Sequence, residues 1–198
     1  PCIHESKISE IFFLSFLLFQ NTFPILSQNG WETVFNTYIS NDIKFISSNI
    51  LIATGDDGKI YRSTNTGLNW ELHVAGTNGQ RFYQIFVFNQ SNVFICGFNN
   101  AVYKSSDLGS TWLNIRPLGF SGHYYTISFL DSNNGVIAGE SKIATTTNGG
   151  INWELKRQVQ NTVFRGSYYS GNSSIILAGD SSVALPNRHY GIIELSSD

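Results

Sequence analysis

The sequence predicts an all-β protein, a β-propeller built from repeated four-stranded units. An eight-residue motif, Ser/Thr-x-Asp/Asn-x-Gly-x-Thr/Asn-Trp, occurs three times, and its tryptophans lie 42 and then 41 positions apart. A glycine that ends an apolar strand recurs at nearly the same interval. Only 13% of the residues are charged, whereas Asn, Ser, Thr and Gly, the residues of tight turns, are abundant. A fixed period in this range, with turn residues in register, is typical of propeller blades.

Each residue type in the motif has a structural explanation. The Asp or Asn side chain accepts hydrogen bonds from backbone N–H groups ahead of it. The glycine takes a positive φ that costs another residue ~1–2 kcal/mol. The tryptophan begins a fourth strand and packs between sheets. We therefore predict a structural, non-catalytic role for the motif positions Ser63, Asn65, Gly67, Trp70, Ser105, Asp107, Gly109, Trp112, Thr146, Asn148, Gly150 and Trp153.

The strand-ending glycines define four repeats, although only three carry the complete motif. Gly55, Gly97, Gly139 and Gly179 are separated by 42, 42 and 40 positions. In the fourth repeat, the segment 185–191 retains only the glycine of the motif. Hydrophobic alternation and turn residues then predict four short strands per repeat. The expected blades cover about residues 42–74, 82–116, 124–157 and 166–195.

The N-terminal residues 1–27 resemble a secretory signal peptide. A nine-residue apolar core, Ile11–Phe19, is followed by small Ser27 at a plausible cleavage point. This core is shorter than the ~20 residues of a membrane span, so no stable membrane insertion is expected after removal. The segment therefore predicts a secreted, periplasmic or cell-surface protein, and a buried strand or helix of the domain is the alternative.

The predicted propeller occupies residues 28–198. Trp31–Val34 resembles the fourth-strand sequences that follow the motif tryptophans, so the domain is expected to begin with a stray fourth strand. Propellers with this motif more often have six to eight blades, and an open half-ring would leave strand edges unpaired. We therefore expect the chain to be part of a larger ring, and we leave its oligomeric state open.

Composition excludes several kinds of function. The net charge of −2 is spread without runs, so no basic stripe for nucleic acid is present. The chain has no Cys-x-x-Cys motif and no Cys/His cluster, and neither a metal site nor a cofactor is predicted. Cys96 lies in an apolar run, where a buried packing residue is expected.

Binding chemistry is expected on the face opposite the motif turns. In a four-stranded blade this face carries the turn between strands two and three and the connection between blades. These segments bring basic, aromatic and acidic side chains to equivalent positions of successive repeats, a combination that binds carboxylates, sugars or a protein loop. The alternative is solvated charge beside packed tyrosines. The candidate binding residues are Arg81, His123, Arg165, Tyr83, Tyr125, Asp56, Glu140 and Asp180.

The motif resembles the bacterial neuraminidase repeat, or Asp box. The order of apolar strand, glycine and Tyr-x-Ser-x-Asp-x-Gly-x-Thr-Trp is most similar to the photosystem II assembly and stability factor family, from Trp31 to Trp153 and faintly to Gly191. That resemblance implies a propeller of seven blades that binds protein partners without catalysis. We therefore expect a protein partner, with a polysaccharide as the second choice.

Two enzyme families also contain Asp boxes and provide the alternative function. Sialidases bind a substrate carboxylate with three arginines and carry a Phe/Tyr-Arg-Ile-Pro motif near their start. In this chain Phe164-Arg165 matches only the first half of that motif, and it lies far from the start. Xyloglucan-cleaving hydrolases with inverting chemistry need two carboxylates about 6.5–9.5 Å apart. Asp56, Glu140 and Asp180 lie in different repeats. Part of a glycoside hydrolase is therefore the runner-up prediction.

Overall fold

The described part of the chain consists of β-strands and turns. The computed structural model describes residues 40–170, 174–183 and 188–196, and these contain no helix. No helix with the length and apolar content of a membrane span therefore occurs in these ranges. The strands are β1 (Ser40–Phe45), β2 (Leu51–Gly55), β3 (Lys59–Ser63), β4 (Glu71–Val74), β5 (Phe82–Asn89), β6 (Asn92–Gly97), β7 (Val102–Ser105), β8 (Leu113–Asn114), β9 (Tyr124–Phe129), β10 (Gly135–Thr146), β11 (Glu154–Tyr169), β12 (Ile175–Val183) and β13 (Arg188–Leu195).

Within each sheet, every strand pairs antiparallel with the strands that precede and follow it in that sheet. β1–β4 form one four-stranded sheet and β5–β8 form a second, both in chain order. β9–β13 form a third sheet of five strands, in which the pairing order again follows the chain. The predicted all-β class, with four-stranded antiparallel units, is confirmed. The predicted signal peptide and the strand expected from Trp31 lie outside the described residues.

The third sheet contains the predicted third and fourth repeats, joined through β11. Residues 154–158 of β11 pair with the end of β10, whereas residues 162–169 pair with β12. Between the two parts, Asn161 has a φ of 57°. The connection between the two parts, residues 159–161, is therefore shorter than the connection between β4 and β5, residues 75–81. The two repeats therefore meet within β11, between the blades predicted at about residues 124–157 and 166–195.

Hydrophobic clusters fill the spaces between successive repeats. Side chains of β6 alternate between the first two clusters, with Ile95 in the first and Phe94 and Cys96 in the second. A third cluster packs Val136 of β10 against Phe164 of β11. Cys96 is fully buried and its thiol is free, and burial raises the pKa of that thiol. The prediction of a buried packing cysteine is confirmed.

The three motif copies fold into turns with the same hydrogen bonds. In the second copy, Gly109 N donates to Ser105 Oγ and Thr111 N donates to Asp107 Oδ1, each at 2.9 Å. A Cβ on Gly109 would lie 2.5 Å from Ile52 Cδ1 of the preceding sheet. Both the backbone conformation and the packing therefore require glycine here. The φ values are 91°, 80° and 90° at Gly67, Gly109 and Gly150.

The motif tryptophans directly precede β4, β8 and β11. Trp153 is only 8% exposed within the second cluster, and its Nε1–H donates to Ile115 O at 2.8 Å. Trp112 packs, partly buried, against the first cluster, and its Nε1–H donates to Gly109 O at 3.1 Å. Each of these indoles therefore fills the space between its own repeat and the preceding one.

Candidate functional site

All eight residues predicted for binding lie at the sheet ends opposite the motif turns. In the first sheet, Ser40 pairs with Gly55 and Lys59 pairs with Val74, so the β2–β3 turn and the exit from β4 share one end. The motif turn follows β3 at the other end, where Ser63 pairs with Leu51. We call the eight residues the rim strip; they are Asp56, Arg81, Tyr83, His123, Tyr125, Glu140, Arg165 and Asp180.

The strand-ending glycines fix the backbone from which the rim strip projects. A Cβ on Gly97 would lie 1.9 Å from Arg81 O. Because Gly97 has no Cβ, the Arg81 carbonyl can approach and accept a hydrogen bond from Phe98 N at 2.7 Å. The arrangement recurs at Gly139, where a Cβ would lie 1.8 Å from His123 O. A register shift beside the glycine occurs in all four repeats. The repeated glycine therefore fixes the backbone position of Arg81 and His123, which directly precede β5 and β9.

Every basic side chain of the rim strip faces an acidic one. The two arginines are nevertheless 59% and 61% exposed. Exposed ion pairs contribute about 0–1 kcal/mol, so they exchange partners at little cost. Among the described residues, no three His, Cys, Asp or Glu side chains come together as a metal site. The pairs are Arg81 Nε–Asp56 Oδ2 at 3.3 Å, His123 Nε2–Glu140 Oε2 at 3.8 Å and Arg165 Nε–Asp180 Oδ2 at 3.1 Å.

The aromatic members of the rim strip stack across neighbouring repeats. The rings of Tyr83 and Tyr125 lie 4.9 Å apart with an interplanar angle of 14°. Arg165 Cζ lies 5.6 Å from the centroid of the Tyr125 ring. Burial, with the nearby Glu140 carboxylate, raises the pKa of Tyr125, and burial also raises the pKa of Tyr83. Both hydroxyls therefore remain protonated donors at neutral pH, on a stack that spans three repeats.

His123 is held by two contacts from the turn that follows β6. Its ring stacks on Phe98 at 3.9 Å and 13°. Its Nδ1 accepts a hydrogen bond from Asn99 N at 2.9 Å. Because an acceptor Nδ1 places the proton of a neutral imidazole on Nε2, the N–H group is directed toward Glu140. The stacking and the hydrogen bond together hold this ring in place at the end of the loop.

A groove of about 340 Å³ opens at the end of the rim strip that carries Arg165. Glu140, Arg165 and Asp180 line it together with residues 160–162. Sequence reasoning missed residues 160–162, because it took only Arg165 from the connection between the third and fourth repeats. Their polar sequence, Gln-Asn-Thr between two predicted strands, was the available signal. The groove is lined mainly by polar groups and is open to solvent.

Sequence reasoning also missed a series of polar side chains on the first strand of each repeat. Asp42 Oδ2 accepts a hydrogen bond from Ile85 N at 2.8 Å, and Gln84 Oε1 accepts one from Ile127 N at 2.6 Å. The spacing of 42 positions, which continues to Thr126, was the signal. These bonds join the first strands of neighbouring repeats and so set the spacing of the rim strip.

Comparison with solved structures identifies the fold as a β-propeller. A structure described as YCF48 bound to D1 peptide matches with a TM-score of 0.58 and 19% identity, covering 80% of this chain and 54% of that one. The WD40 propeller domain of Doa1 matches with a TM-score of 0.63 and 15% identity over 87% and 56% of the two chains. The chain therefore spans about half the length of these neighbours.

Enzymes share the same fold. The crystal structure of an ancestral GH74 enzyme matches with a TM-score of 0.62 and 15% identity, covering 80% of this chain and 24% of that one.

YCF48 from Cyanidioschyzon merolae matches with a TM-score of 0.55 and 17% identity over 80% and 57% of the two chains. The sequence matches no family model and no curated protein. At these identities the likeness concerns the fold alone.

Proposed function

We propose that this chain is a non-catalytic, secreted or cell-surface propeller module that binds a protein partner through the rim strip. One observation carries the proposal: residues predicted separately in successive repeats form one continuous surface of stacked tyrosines and exposed arginines. Tyrosine and arginine are the residues that dominate binding energy at protein interfaces. The apolar segment Ile11–Phe19 supports the proposed export.

We further propose that the repeated motifs are Asp boxes, and that the chain is related to the photosystem II assembly factor repeats. The recurrence of one hydrogen-bond pattern in three turns supports this relationship. The structural likeness to YCF48, which has been solved with a bound D1 peptide, supports a polypeptide as the partner. A polysaccharide is the second choice, because stacked aromatic rings also bind sugars.

The chemistry of the rim strip suits an amphipathic polypeptide loop. Each acidic side chain already has a basic partner, and none of the six side chains is fully buried. A loop carrying either sign therefore finds a complementary group without leaving a buried charge unpaired. The stack of Tyr83 and Tyr125 offers a flat apolar surface, and the two hydroxyls donate hydrogen bonds. The resulting interface would be polar at its edges and aromatic at its centre.

Part of a glycoside hydrolase is the alternative, and the fold it shares with GH74 enzymes is the observation in its favour. Such an enzyme places two carboxylic acids on opposite sides of the bond that it cleaves. In the rim strip, Asp56, Glu140 and Asp180 each contact a basic group rather than another carboxylate. The non-catalytic proposal is therefore preferred.

A peptide-binding experiment tests the proposal. Twelve-residue peptides selected from a random display library on the purified chain would be measured by isothermal calorimetry. Arg81→Ala combined with Arg165→Ala, and separately Tyr125→Ala, should weaken their binding about tenfold or more. Arg116→Ala combined with Lys156→Ala removes the same charge outside the rim strip and should leave affinity unchanged.

Two results would contradict the proposal. One is equal binding by the rim-strip variants and the charge-matched control, which would place the partner elsewhere on the molecule. The other is release of reducing sugar ends when the chain is incubated with xyloglucan, provided that this release is lost in Glu140→Gln or Asp180→Asn. That second result would establish the hydrolase alternative.

A further inference from the structure

The three ion pairs of the rim strip differ in which side chain is presented to solvent. In the first pair Arg81 is 59% exposed and Asp56 only 20%. In the second pair the order is reversed, because Glu140 is 50% exposed and His123 only 29%. The third pair follows the first, with exposures of 61% for Arg165 and 38% for its acidic partner. Along three successive repeats, the strip therefore presents a basic, an acidic and a basic side chain.

Glu140 is the acidic side chain that this arrangement leaves without a cation. Its partner His123 accepts a hydrogen bond from Asn99 N at Nδ1, and an imidazole with an acceptor nitrogen is neutral. The distance from His123 Nε2 to Glu140 Oε2 is 3.8 Å, which is too long for a hydrogen bond. Among the described residues, no lysine or arginine pairs with Glu140. With three carboxylates and two guanidinium groups, the strip carries a net charge of −1 in this state.

The uncompensated carboxylate lies beside the stacked tyrosines. Burial raises the pKa of Tyr83 and of Tyr125, and the Glu140 carboxylate adds to the rise in both. The same carboxylate lines the groove that also contains Arg165. A basic side chain that approaches Glu140 can therefore pack its aliphatic stem against the tyrosine rings while its charged head reaches the carboxylate. The centre of the strip thus favours a lysine or an arginine, whereas its two ends favour carboxylates.

We propose that the rim strip recognises a polypeptide segment in which a lysine or arginine is flanked by two acidic residues, an inference that rests on the binding role proposed above. The basic side chain pairs with Glu140, and the acidic side chains pair with Arg81 and Arg165. The carboxylates that these arginines now contact are displaced at little cost, because exposed ion pairs are weak. In an extended segment alternate side chains point to the same face, so the three charges are expected at alternate positions.

The alternation of charge distinguishes this segment from other charged ligands. A sulfated polysaccharide carries charge of one sign, so it pairs with the two arginines but is repelled by Glu140. A run of basic residues pairs with Glu140 but is repelled by the arginines. A segment of mixed sign complements all three exposed groups.

His123 makes this recognition dependent on pH. A second proton on the imidazole would occupy Nδ1 and face the N–H group of Asn99, 2.9 Å away, so that hydrogen bond would be lost. The cationic ring would then pair with Glu140 and compete with the basic side chain of the partner. Because the bound cation favours the neutral ring, affinity is highest above the titration range of histidine and falls as the pH decreases through it.

Few other ionisable groups surround His123. Both tyrosines remain protonated at neutral and acidic pH, because burial raises the pKa of each. Lys142 of β10 donates to a backbone carbonyl, and the turn at residues 98–100 contains no ionisable residue. The ionisable groups around the ring are Glu140, Lys142, Tyr83 and Tyr125.

The peptide selection described above tests the inference when it is carried out at neutral pH and the bound sequences are read. We expect the acidic–basic–acidic pattern to be enriched over the unselected library. In the tightest-binding peptide, Gln in place of the basic residue should weaken binding to the 198-residue chain about fivefold or more. Glu140→Gln should weaken it as much, and the two losses should not add, because they remove the same contact.

Glu154→Gln is the matched control for this variant. It removes an exposed carboxylate that also pairs with a basic side chain, Lys156, but lies outside the rim strip. It should leave the affinity unchanged. Melting followed by circular dichroism checks that both variants fold.

Calorimetry of the same peptide at about pH 7.5 and pH 5.5 tests His123. Affinity of the wild type should fall about fivefold or more at the lower pH, where a free imidazole is mostly protonated and the peptide's own carboxylates remain ionised. His123→Gln is neutral at both pH values and should lose this dependence. His73→Gln removes an imidazole of β4, outside the rim strip, and should keep it.

The results distinguish failure of this inference from failure of the proposed function. Peptides that require Arg81 and Arg165 but lack the pattern, or that bind Glu140→Gln as tightly as the wild type, would overturn the inference alone. No selected peptide, or peptides bound equally by the arginine variants and their control, would overturn both. A wild-type affinity that is the same at both pH values, or that falls equally in His123→Gln, would overturn the role given to His123.

Discussion

At the third position of the repeated motif the chain carries Asn twice and Asp once, and the structure shows what the charge adds. Asp107 accepts hydrogen bonds from Thr111 N at 2.9 Å, Thr111 Oγ1 at 2.6 Å and Ser105 Oγ at 2.8 Å. Burial raises the pKa of Asp107, but the hydrogen bonds from Thr111 and Ser105 outweigh it and bring the pKa to about 2. The carboxylate therefore favours the folded state in its ionised form.

Asp107→Asn should remove a pH-dependent part of the stability while keeping the turn. The folded pKa lies below the ordinary value of 3.8, so the stabilisation is complete above about pH 4 and is lost as the pH falls toward 2. An Asn keeps the Oδ1 acceptor, as Asn65 and Asn148 show. Urea unfolding from pH 7 to pH 2 should thus show a difference between variant and wild type that shrinks on acidification. A difference independent of pH would contradict the assigned role of the charge.

Residue types in the motif were predictable from sequence because each acts within its own turn. The ion pairs of the rim strip were not, since they join residues far apart in the chain. Arg81 contacts Asp56 of the preceding repeat, whereas Arg165 contacts Asp180 of its own repeat. Repeat spacing placed all of these residues at one end of the sheets, but it gave no information on which carboxylate each guanidinium would meet.

At the scale of strands, one backbone feature recurs in every repeat. The register of the first two strands shifts beside the strand-ending glycine in all four repeats. At Gly97, Gly139 and Gly179, a backbone carbonyl near the start of the first strand also approaches the glycine closely. The sequence showed the glycine and its period. The reason for it, a backbone contact between two strands, became visible only from their pairing.

Gly97→Ala should therefore separate β5 from β6 locally. The new Cβ would lie 1.9 Å from Arg81 O, a backbone atom that no side-chain rotation can move away. We expect a loss of unfolding free energy at or above the upper end of the ~0.5–3 kcal/mol that is typical of single substitutions. Gly191→Ala is the matched control, because no heavy atom lies within 4 Å of its added Cβ. Equal midpoints for the two variants in urea unfolding would show that the contact relaxes freely.

The sequence predicted a boundary between the third and fourth repeats but not how the strands on its two sides join. The interval from Gly139 to Gly179 is 40 positions rather than 42, and the shortening falls partly in the connection at residues 158–161. Val163 lies opposite Glu140, as Arg81 lies opposite Asp56 across the first two repeats, and β11 continues from one repeat into the next. Periodicity alone does not tell where a repeat loses residues, because the strands on either side keep their alternation.

Across the whole molecule, packing is uneven. β6 lies between two neighbouring repeats, and Phe94, Ile95 and Cys96 are fully buried. Among the described strands, β13 lies at a sheet edge, beside a cavity of about 500 Å³ between the third and fourth repeats. In repeat proteins, stability is approximately a sum of contributions from each repeat and from its contacts with its neighbours. The local free energy of opening should therefore fall toward the fourth repeat.

Amide hydrogen exchange provides the test of this gradient. Amides of β6 should exchange at least about tenfold more slowly than those of β12 and β13, which corresponds to about 1.4 kcal/mol in the free energy of opening. The comparison is made at one pH and corrected for intrinsic exchange rates. Uniform protection of all these strands would instead mean that the repeats unfold as one cooperative unit.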